Sequence, residues 1–375
     1  MSESIDVPRP RVLILTLHHG STHVRTSRAL EKALLRLRPN LNVEVVDALA
    51  HCTAWFQAYY NSYEIPLRYW PSLWDYIESR QYEGETSGPW WLYRWGARPL
   101  FRYIEAFAPD VVVATEVGLG EIAIIHKREF GARYSLVGVE TFSFERPWAQ
   151  PEVDLIIAHP GEAAAQIRSL GVPAEKILEC GVMVDPAFGP SSDRPALRAR
   201  LGLRDDLPVF LVNFGGSGKR RPREVVSGLR QVQQPFQAVF IARRDESLRQ
   251  ELLRLTAGMA HARVLGWVDN MHEWMAAADL LLSRAGGGIV AESLNCGLPM
   301  LVFDALPGNE RRFCQMIEKT WHTGYWVKRP GELAARIHHL LQHPEELAQL
   351  RTNALRHGYP DATRIAAQAI LNLRL

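Results

Sequence analysis

The chain has few cysteines, little net charge and no long apolar run, and each shortage excludes a class of protein. Its 375 residues include four cysteines with no C-x-x-C pair and no metal-ligand spacing, which argues against a disulfide framework or structural zinc and for a reducing compartment. The formal net charge of +2 is too small for a dedicated nucleic-acid binder. The apolar run at residues 12–17 is far shorter than the roughly 20 residues that span a bilayer. Any contact with a membrane is therefore expected at its surface.

The order of apolar runs predicts an α/β fold with two domains. A chain of this length with 47% apolar residues favours more than one core. Short apolar runs alternate with helical patterns in two series, separated by a proline-rich stretch at 181–208. We therefore predict two Rossmann-like, doubly wound domains, residues 1–185 and 186–350, which face each other across a cleft, and a C-terminal helix, 351–375, that crosses back to the first domain. The predicted strands are 12–17, 43–46, 111–114, 134–139, 155–158, 209–213, 238–242, 264–265, 280–282 and 299–303.

Three glycine-containing turns follow predicted strands in the second half. The first, Gly215-Gly216-Ser217-Gly218 with Lys219, suits a phosphate because glycine lets backbone N–H groups approach closely, although it is not a P-loop. The second, Gly286-Gly287-Gly288, opens a helix whose positive end suits a diphosphate, and Glu292 one turn later could accept ribose hydroxyls. The third, Pro307-Gly308-Asn309-Glu310, offers amide and carboxylate groups to sugar hydroxyls. Plain turns, and a solvated helix position for Glu292, are the alternatives.

In this order, with Gly266-Trp267-Val268 after an intervening strand, the turns resemble the donor half of GT-B-fold glycosyltransferases. The resemblance is greatest to glycosyltransferase family 28, the group of monogalactosyldiacylglycerol synthases, diacylglycerol glucosyltransferases and the N-acetylglucosaminyltransferase of lipid II synthesis. It implies that Trp267 and Val268 hold the nucleotide base, the glycine turns the diphosphate, Glu292 the ribose, and the third turn the transferred sugar. The donor-binding residues expected from the resemblance are Gly215, Gly216, Ser217, Gly218, Lys219, Trp267, Val268, Gly286, Gly287, Gly288, Glu292, Pro307, Gly308, Asn309 and Glu310.

The candidate catalytic base lies in the turn "LHHGSTH" at residues 17–23, after the first predicted strand. In the family, a glycine-rich loop at this place ends in histidine, and His23 falls on that position. A neutral imidazole could take the proton from an acceptor hydroxyl as it attacks the anomeric carbon. Glu116 and Glu140 each stand at the end of a predicted strand. Either could orient His23 or bind an acceptor hydroxyl.

Residues 51–105 are unusually aromatic, with six of the eleven tryptophans and eight of the eleven tyrosines. Arg94, Arg98 and Arg102 recur at helical spacing, although Pro99 interrupts the pattern. Tryptophan and arginine favour an anionic bilayer interface, so this segment is predicted to face a membrane. An aromatic flap over the acceptor cleft, or ordinary core, is the alternative. The residues predicted to meet the membrane or the acceptor are Trp90, Trp91, Arg94, Trp95, Arg98, Arg102 and Trp148.

Together these features predict an inverting glycosyltransferase that moves a hexose, or a hexuronic acid, from a UDP-sugar to a hydroxyl of a membrane lipid such as diacylglycerol. No D-x-D triplet occurs, so we expect neither a bound metal nor another cofactor. The expected partners are the nucleotide-sugar donor, the lipid acceptor and an anionic membrane surface, without nucleic acid. The expected location is the cytoplasm, at the inner face of the cell membrane. The alternatives are a UDP-sugar 2-epimerase of the same fold and an inactive homologue that binds nucleotide or membrane.

Overall fold

The structure is a computed structural model that describes residues 10–17, 21–62, 64–70, 72–73, 76–77, 80, 84, 87–140, 142, 144–215, 221–306, 308–329 and 331–373. The chain divides into two compact units, Met1–Asp185 with Asp361–Leu375, and Pro186–Pro360. Each unit contains one six-stranded sheet, and all of the strand pairs are parallel. The predicted class, two doubly wound α/β domains, is confirmed. That the two face each other across a cleft stays a prediction.

The sheet of the first unit has the strand order β2-β1-β3-β4-β5-β6. Its central strands are buried along most of their length, as in parallel sheets that helices cover on both faces. The last strand, three residues long and only partly buried, lacks the apolar run that would predict it. The strands are β1 Arg11–Thr16, β2 Asn42–Asp47, β3 Val111–Ala114, β4 Ser135–Val139, β5 Leu155–Ala158 and β6 Ile177–Glu179.

Two helices of the first unit differ from the predicted pattern. The helical pattern after β1 predicts a start near Val24, whereas the helix begins at Ser21. The arginine-bearing helix is two helices that meet at Ala97, because proline cannot donate an interior helical hydrogen bond and Pro99 lies in the first turn of the second one. The helices are α1 Ser21–Leu37, α2 Ala54–Asn61, α3 Glu64–Tyr69, α4 Trp90–Gly96, α5 Arg98–Phe107, α6 Val117–Phe130 and α7 Glu162–Ser169, with short 3-10 turns at Ala48–His51, Arg146–Trp148 and Ala174–Lys176.

The sheet of the second unit has the order β12-β11-β10-β7-β8-β9. Its last strand, also three residues long, is not predicted by the apolar pattern. The strands are β7 Val209–Asn213, β8 Gln237–Ile241, β9 Ala262–Leu265, β10 Leu280–Arg284, β11 Met300–Asp304 and β12 Gly324–Trp326. The helices are α8 Arg194–Arg200, α9 Pro222–Arg230, α10 Glu246–Thr256, α11 Met271–Ala277, α12 Gly287–Asn295, α13 Asn309–Gln315, α14 Glu332–Gln342 and α15 Pro344–His357, with a π-helical turn at Met316–Thr320.

The C-terminal crossing lies ten residues later than the sequence predicts. Residues from 351 to Pro360 stay with the second unit, where the N–H of Tyr359 donates to the Asn295 side chain at 2.7 Å. The final helix, α16, spans Ala362–Leu371 and packs on α1 in the first unit. There the buried hydroxyl of Thr363 donates to the Val184 carbonyl at 2.6 Å. The predicted start at 351 is therefore wrong, since it falls inside α15.

Each sheet has one point at which the strand order reverses. In the first unit this switch point lies between β1 and β3, and in the second between β7 and β10. In doubly wound sheets, ligands bind beyond the carboxyl ends of the strands at this crevice, because loops there diverge to opposite faces. Each unit thus has one place where a ligand site is expected from topology.

Candidate functional site

His23, on the first turn of α1, is anchored at the first switch point. Its Nδ1 lies 2.6 Å from the backbone oxygen of Thr115, the residue after β3. A carbonyl oxygen only accepts hydrogen bonds, so Nδ1 carries the proton and Nε2 of the neutral ring keeps its lone pair. The N–H and the hydroxyl of Thr115 both donate to the Leu15 carbonyl, at 3.2 and 3.1 Å, which fixes this carbonyl in place. The fold thereby orients one imidazole as a proton acceptor at the carboxyl edge of the sheet.

Glu116, one of the two acids predicted to orient His23, caps α6 instead. Its Oε2 accepts the N–H of Leu119 at 3.1 Å and the hydroxyl of Tyr60 at 2.5 Å. Burial and the charge of Glu116 raise the pKa of Tyr60, so the phenol stays protonated and donates. Gly118 is needed here because a Cβ would lie 2.5 Å from the Tyr60 oxygen. Glu116 therefore connects α2 with the switch point.

Glu140, the other predicted orienting acid, is buried beyond the end of β4. Its Oε1 accepts the N–H of Glu145 at 3.2 Å. Among the described contacts, the His23 ring forms a hydrogen bond with the carbonyl of Thr115. No residue-type pattern indicates a backbone partner, so sequence reasoning missed Thr115. Only the pairing of β1 with β3 brings it to His23.

Gly215 and Gly286 lie at the switch point of the second unit. Gly215, after β7, has φ +72°, a left-handed conformation that favours glycine, and its N–H donates to the Asn213 side chain at 3.2 Å. Gly286, after β10, is the N-cap of α12. The first turn of a helix directs N–H groups and a partial positive charge outward, which suits a phosphate. The predicted donor residues Gly216, Ser217, Gly218, Lys219 and Pro307 lie outside the described residues.

A buried ion pair joins the turns around this switch point. Arg284, the last residue of β10, donates from Nη2 to both carboxylate oxygens of Glu310 at 2.9 Å and from Nε to Oε2 at 3.3 Å. Glu310 also accepts the N–H of Leu306 at 2.7 Å. The sequence analysis does not select Arg284, although a charged residue at the end of an apolar strand signals a buried partner.

The remaining predicted donor residues lie on the same sheet edge or close to it. Glu292 is on the second turn of α12 and is only 2% exposed. Trp267, half exposed after β9, donates from Nε1 to Asp269 at 2.7 Å, and the Arg244 guanidinium lies 4.4 Å from the centre of its ring. The other predicted donor residues lie next to these in the sequence. They are Val268 in the turn after β9, Gly287 and Gly288 at the start of α12, and Gly308 and Asn309 at the start of α13.

Trp148 does not face a membrane or an acceptor. Its side chain is 1% exposed, and added Cβ atoms on Gly120 and Gly138 would lie only 2.3 and 2.5 Å from its ring. The two glycines thus make room for the indole between α6 and β4. The prediction for Trp148 is wrong because proximity to a loop in sequence does not reveal this packing.

The aromatic segment is partly core and partly surface. Phe56 and Tyr93 are buried, and Gly96 lets α4 approach α2 so closely that a Cβ would lie 2.3 Å from the Phe56 ring. We call the exposed remainder the aromatic surface. It comprises Trp55, Tyr59, Ile65, Tyr69, Trp70, Leu73, Tyr76, Trp91 and Trp95.

The three arginines of this segment have separate environments. Arg94 pairs with Glu129 at 2.5 Å, and the Arg98 guanidinium stacks 3.7 Å from the centre of the Trp95 ring. Arg102 is exposed on α5. The expected single arginine face is therefore wrong, since Ala97 separates the two helices.

Glu121, a buried carboxylate on α6, anchors the aromatic segment. Both of its oxygens lie 3.0 Å from the N–H of Ser87, and Oε1 accepts Nε1 of the half-buried Trp90 at 3.2 Å. Burial raises the pKa of Glu121 to about 7, against the hydrogen bonds from Ser87 and Trp90, which lower it. The protonation state of Glu121 is thus expected to change near neutral pH.

Within the part of the chain that the structure describes, no three His, Cys, Asp or Glu side chains form a group that could hold a metal ion. The four cysteines are buried, and burial raises the pKa of the Cys180 thiol to about 12. Among the described helices, none combines the length and the apolar content needed to cross a bilayer.

Comparison with known proteins finds glycosyltransferases. Residues 211–364 match the family described as Glycosyltransferase family 28 C-terminal domain. A processive diacylglycerol beta-glucosyltransferase of Bacillus cereus (strain G9842) is 24% identical over 360 residues, 92% of this chain and 89% of that protein. The structure of MurG from Acinetobacter baumannii has a TM-score of 0.63 at 15% identity and covers 98% of this chain and 100% of its own. UDP-GlcNAc 2-epimerase from Neisseria meningitidis, bound to UDP-GlcNAc, has a TM-score of 0.59 at 15% identity, with coverage of 96% and 99%.

The two parallel sheets and these similarities define an enzyme class: the chain is a GT-B-fold glycosyltransferase. More narrowly, residues 211–364 match the C-terminal domain of glycosyltransferase family 28.

Proposed function

We propose that the protein transfers a hexose, with inversion, from a UDP-sugar to a hydroxyl of a membrane lipid such as diacylglycerol. The observation that carries the proposal is the hydrogen bond from His23 Nδ1 to the Thr115 carbonyl. It leaves Nε2 ready to remove the hydroxyl proton while the acceptor oxygen bonds to the anomeric carbon. The bond from that carbon to the UDP oxygen breaks, and UDP departs with the electron pair.

The second unit provides the donor side of this proposal. The N-terminus of α12 would stabilise the charge that develops on the β-phosphate, since its N–H groups and helix dipole are already aimed outward. Glu292 would bind the ribose, and the backbone around Trp267 and Val268 the base. Asn309 and Glu310 would bind the sugar. Solved relatives of this fold in complex with UDP and UDP-sugars support the donor class.

The aromatic surface supports a lipid acceptor. Trp91 is 64% exposed and Trp95 50% exposed on α4, and Arg98 stacks on the latter ring. Amphipathic rings with cations beside them suit the headgroup region of an anionic bilayer. The name of the Bacillus cereus relative, a diacylglycerol glucosyltransferase, points to the same acceptor class.

The test is transfer of radiolabelled glucose from UDP-glucose to diacylglycerol in mixed vesicles, with mass spectrometry of the product. We expect a glycolipid with inverted linkage, formed at the same rate in EDTA. A large and reproducible loss in EDTA would contradict a metal-independent reaction.

Incubation with UDP-sugars alone separates the proposal from an epimerase, whose fold this chain also resembles. We expect the sugar to stay unchanged when no lipid is present. Epimerised sugar, or UDP binding with no transfer to any lipid, would reject the proposal.

A further inference from the structure

In the Arg284–Glu310 pair, the arginine is buried and the glutamate is partly exposed to solvent. The Arg284 side chain is 5% exposed and that of Glu310 is 17% exposed. Oε2 of Glu310 accepts from Nε and Nη2 of Arg284 and from the N–H of Leu306, whereas Oε1 accepts from Nη2 of Arg284 alone among the described contacts. A carboxylate oxygen can accept two hydrogen bonds, so Oε1 retains acceptor capacity.

Oε1 is also the oxygen that lies beside the glycine turn. A Cβ built on Gly286 would be 3.9 Å from it. Oε1 therefore borders the N-terminus of α12, where the proposed function puts the diphosphate. A sugar attached to that diphosphate would come next to Oε1.

A bulge orients Arg284 in this site. Ser283 pairs with Val302 but Arg284 pairs with Asp304, so Phe303 is an extra residue on β11. Bulges beside active sites redirect side chains, and this one occurs at the residue that leaves the buried strand. The Arg284 side chain then passes close to Gly215, with its Cδ 3.4 Å from a Cβ built on that residue.

We propose that Arg284 is a positioning residue for the transferred sugar: it fixes Glu310 so that Oε1 accepts a hydroxyl of a neutral hexose, and the pair excludes a hexuronic acid. The inference rests on the proposed function, which it deepens by choosing between two classes of donor. Nε and Nη2 of Arg284, which form one edge that could bind a uronate carboxylate, are already engaged by Glu310. The side chain of the pair that borders α12 through Oε1 is itself a carboxylate, which repels a second one.

The experiment measures KM and kcat for UDP-glucose, and inhibition by UDP, in the full chain and in Arg284→Met, Arg284→Lys and Glu310→Gln. We expect KM for UDP-glucose to rise about tenfold in all three, because each loses the paired hydrogen bonds between Arg284 and Glu310. Lysine does not restore them, since it lacks the planar guanidinium donors of arginine. The inhibition constant of UDP should stay within about twofold of wild type, a split that loss of one sugar contact would give. UDP affinity that falls in parallel would place Arg284 on the diphosphate and overturn the inference.

The double variant Arg284→Met with Glu310→Gln guards against misfolding, because it leaves no unpaired charge in the interior. Its KM should equal that of the single variants, since both changes remove one interaction. Additive effects would mean that the residues act independently, against the inference. Arg198→Met, which disrupts the buried pair of Arg198 with Asp279 (2.6 Å), is the matched control: it should lower stability without changing KM.

The choice between sugars is read from UDP-glucuronate. Wild type should use UDP-glucose at least 30-fold better, by kcat/KM, and Glu310→Gln should reduce this preference to a few-fold. An unchanged preference in Glu310→Gln, or a wild type that favours UDP-glucuronate, would overturn the inference while leaving the proposed transfer intact. Wild type that binds no UDP would instead refute the proposed function.

Discussion

The two switch points of the molecule are built in different ways. In the second unit, the proposed binding groups are backbone atoms at Gly215 and Gly286 and the dipole of α12. In the first, one side chain, His23, is oriented by a carbonyl that is distant in sequence. A backbone site can be predicted from a glycine pattern in the sequence, whereas the orientation of a single side chain is known only once the structure shows its hydrogen-bond partner. The comparison teaches that binding and proton transfer should be separable by mutation.

The largest expected effect comes from His23→Ala. General base catalysis contributes about 10²- to 10⁴-fold, so kcat should fall by that factor. The affinity for UDP should stay unchanged, since the donor groups lie in the other unit. Radiolabel transfer and UDP titration measure the two quantities. Transfer at the wild-type rate would show that His23 is not the base, and a parallel loss of UDP affinity would break the separation of the two sites.

The next effect concerns two tryptophans of the first unit. Trp148→Ala should lower the free energy of unfolding by roughly 3–5 kcal/mol, the usual cost of emptying a buried aromatic site. Trp91→Ala should change it by less than about 0.5 kcal/mol, because the ring is exposed. Urea denaturation measures both.

Binding to vesicles of anionic lipid tests the role of the exposed ring of Trp91. Trp91→Ala should weaken binding, whereas Trp267→Ala, which removes a comparably exposed ring from the second unit, should not. Equal loss in both variants would contradict a membrane role confined to the aromatic surface.

A third effect follows from Glu121, whose pKa burial raises from 4.5 to about 7. The folded state holds this proton more tightly than the unfolded chain, so stability falls as pH rises from about 4.5 to 7 and stays lower above that. The shift corresponds to roughly 3–4 kcal/mol. Glu121→Gln should remove this slope. The stability of the variant relative to wild type should therefore be greater at pH 8 than at pH 5. Denaturation curves at both pH values are the measurement, and an identical slope in the variant would refute the assignment.

The smallest effect is expected at the ribose site. Glu292→Gln keeps the size of the side chain but removes its charge, and a hydrogen bond to a charged group is worth about 1.5–3 kcal/mol. UDP affinity should fall about 10- to 150-fold, the range that this free energy corresponds to, with saturated kcat little changed. A loss of kcat at saturating donor would mean that Glu292 acts in the chemical step, which would blur the contrast with His23.

The fold follows from the sequence more completely than the site does. Apolar runs alternating with helical patterns predict ten of the strands, because a buried parallel strand must be apolar on both faces. They miss β6 and β12, which are short and only partly buried. The glycine turns are also predictable, because backbone freedom at a turn depends on the local residues. The partners of Arg284 and His23 are not, since each depends on strand neighbours far apart in the chain.

By itself, the sequence determined the two doubly wound units, the glycine turns after β7 and β10, and the resemblance to family 28, because these depend on local periodicity and backbone freedom. Tertiary structure alone decided that Thr115 orients His23, that Arg284 holds Glu310, and that Trp148 is core while Trp91 is surface. The physical reason is that a buried polar group must find its partner wherever the sheet order brings one, and an aromatic ring is buried wherever glycines leave room. Neither condition can be predicted from the residues next to it in the sequence.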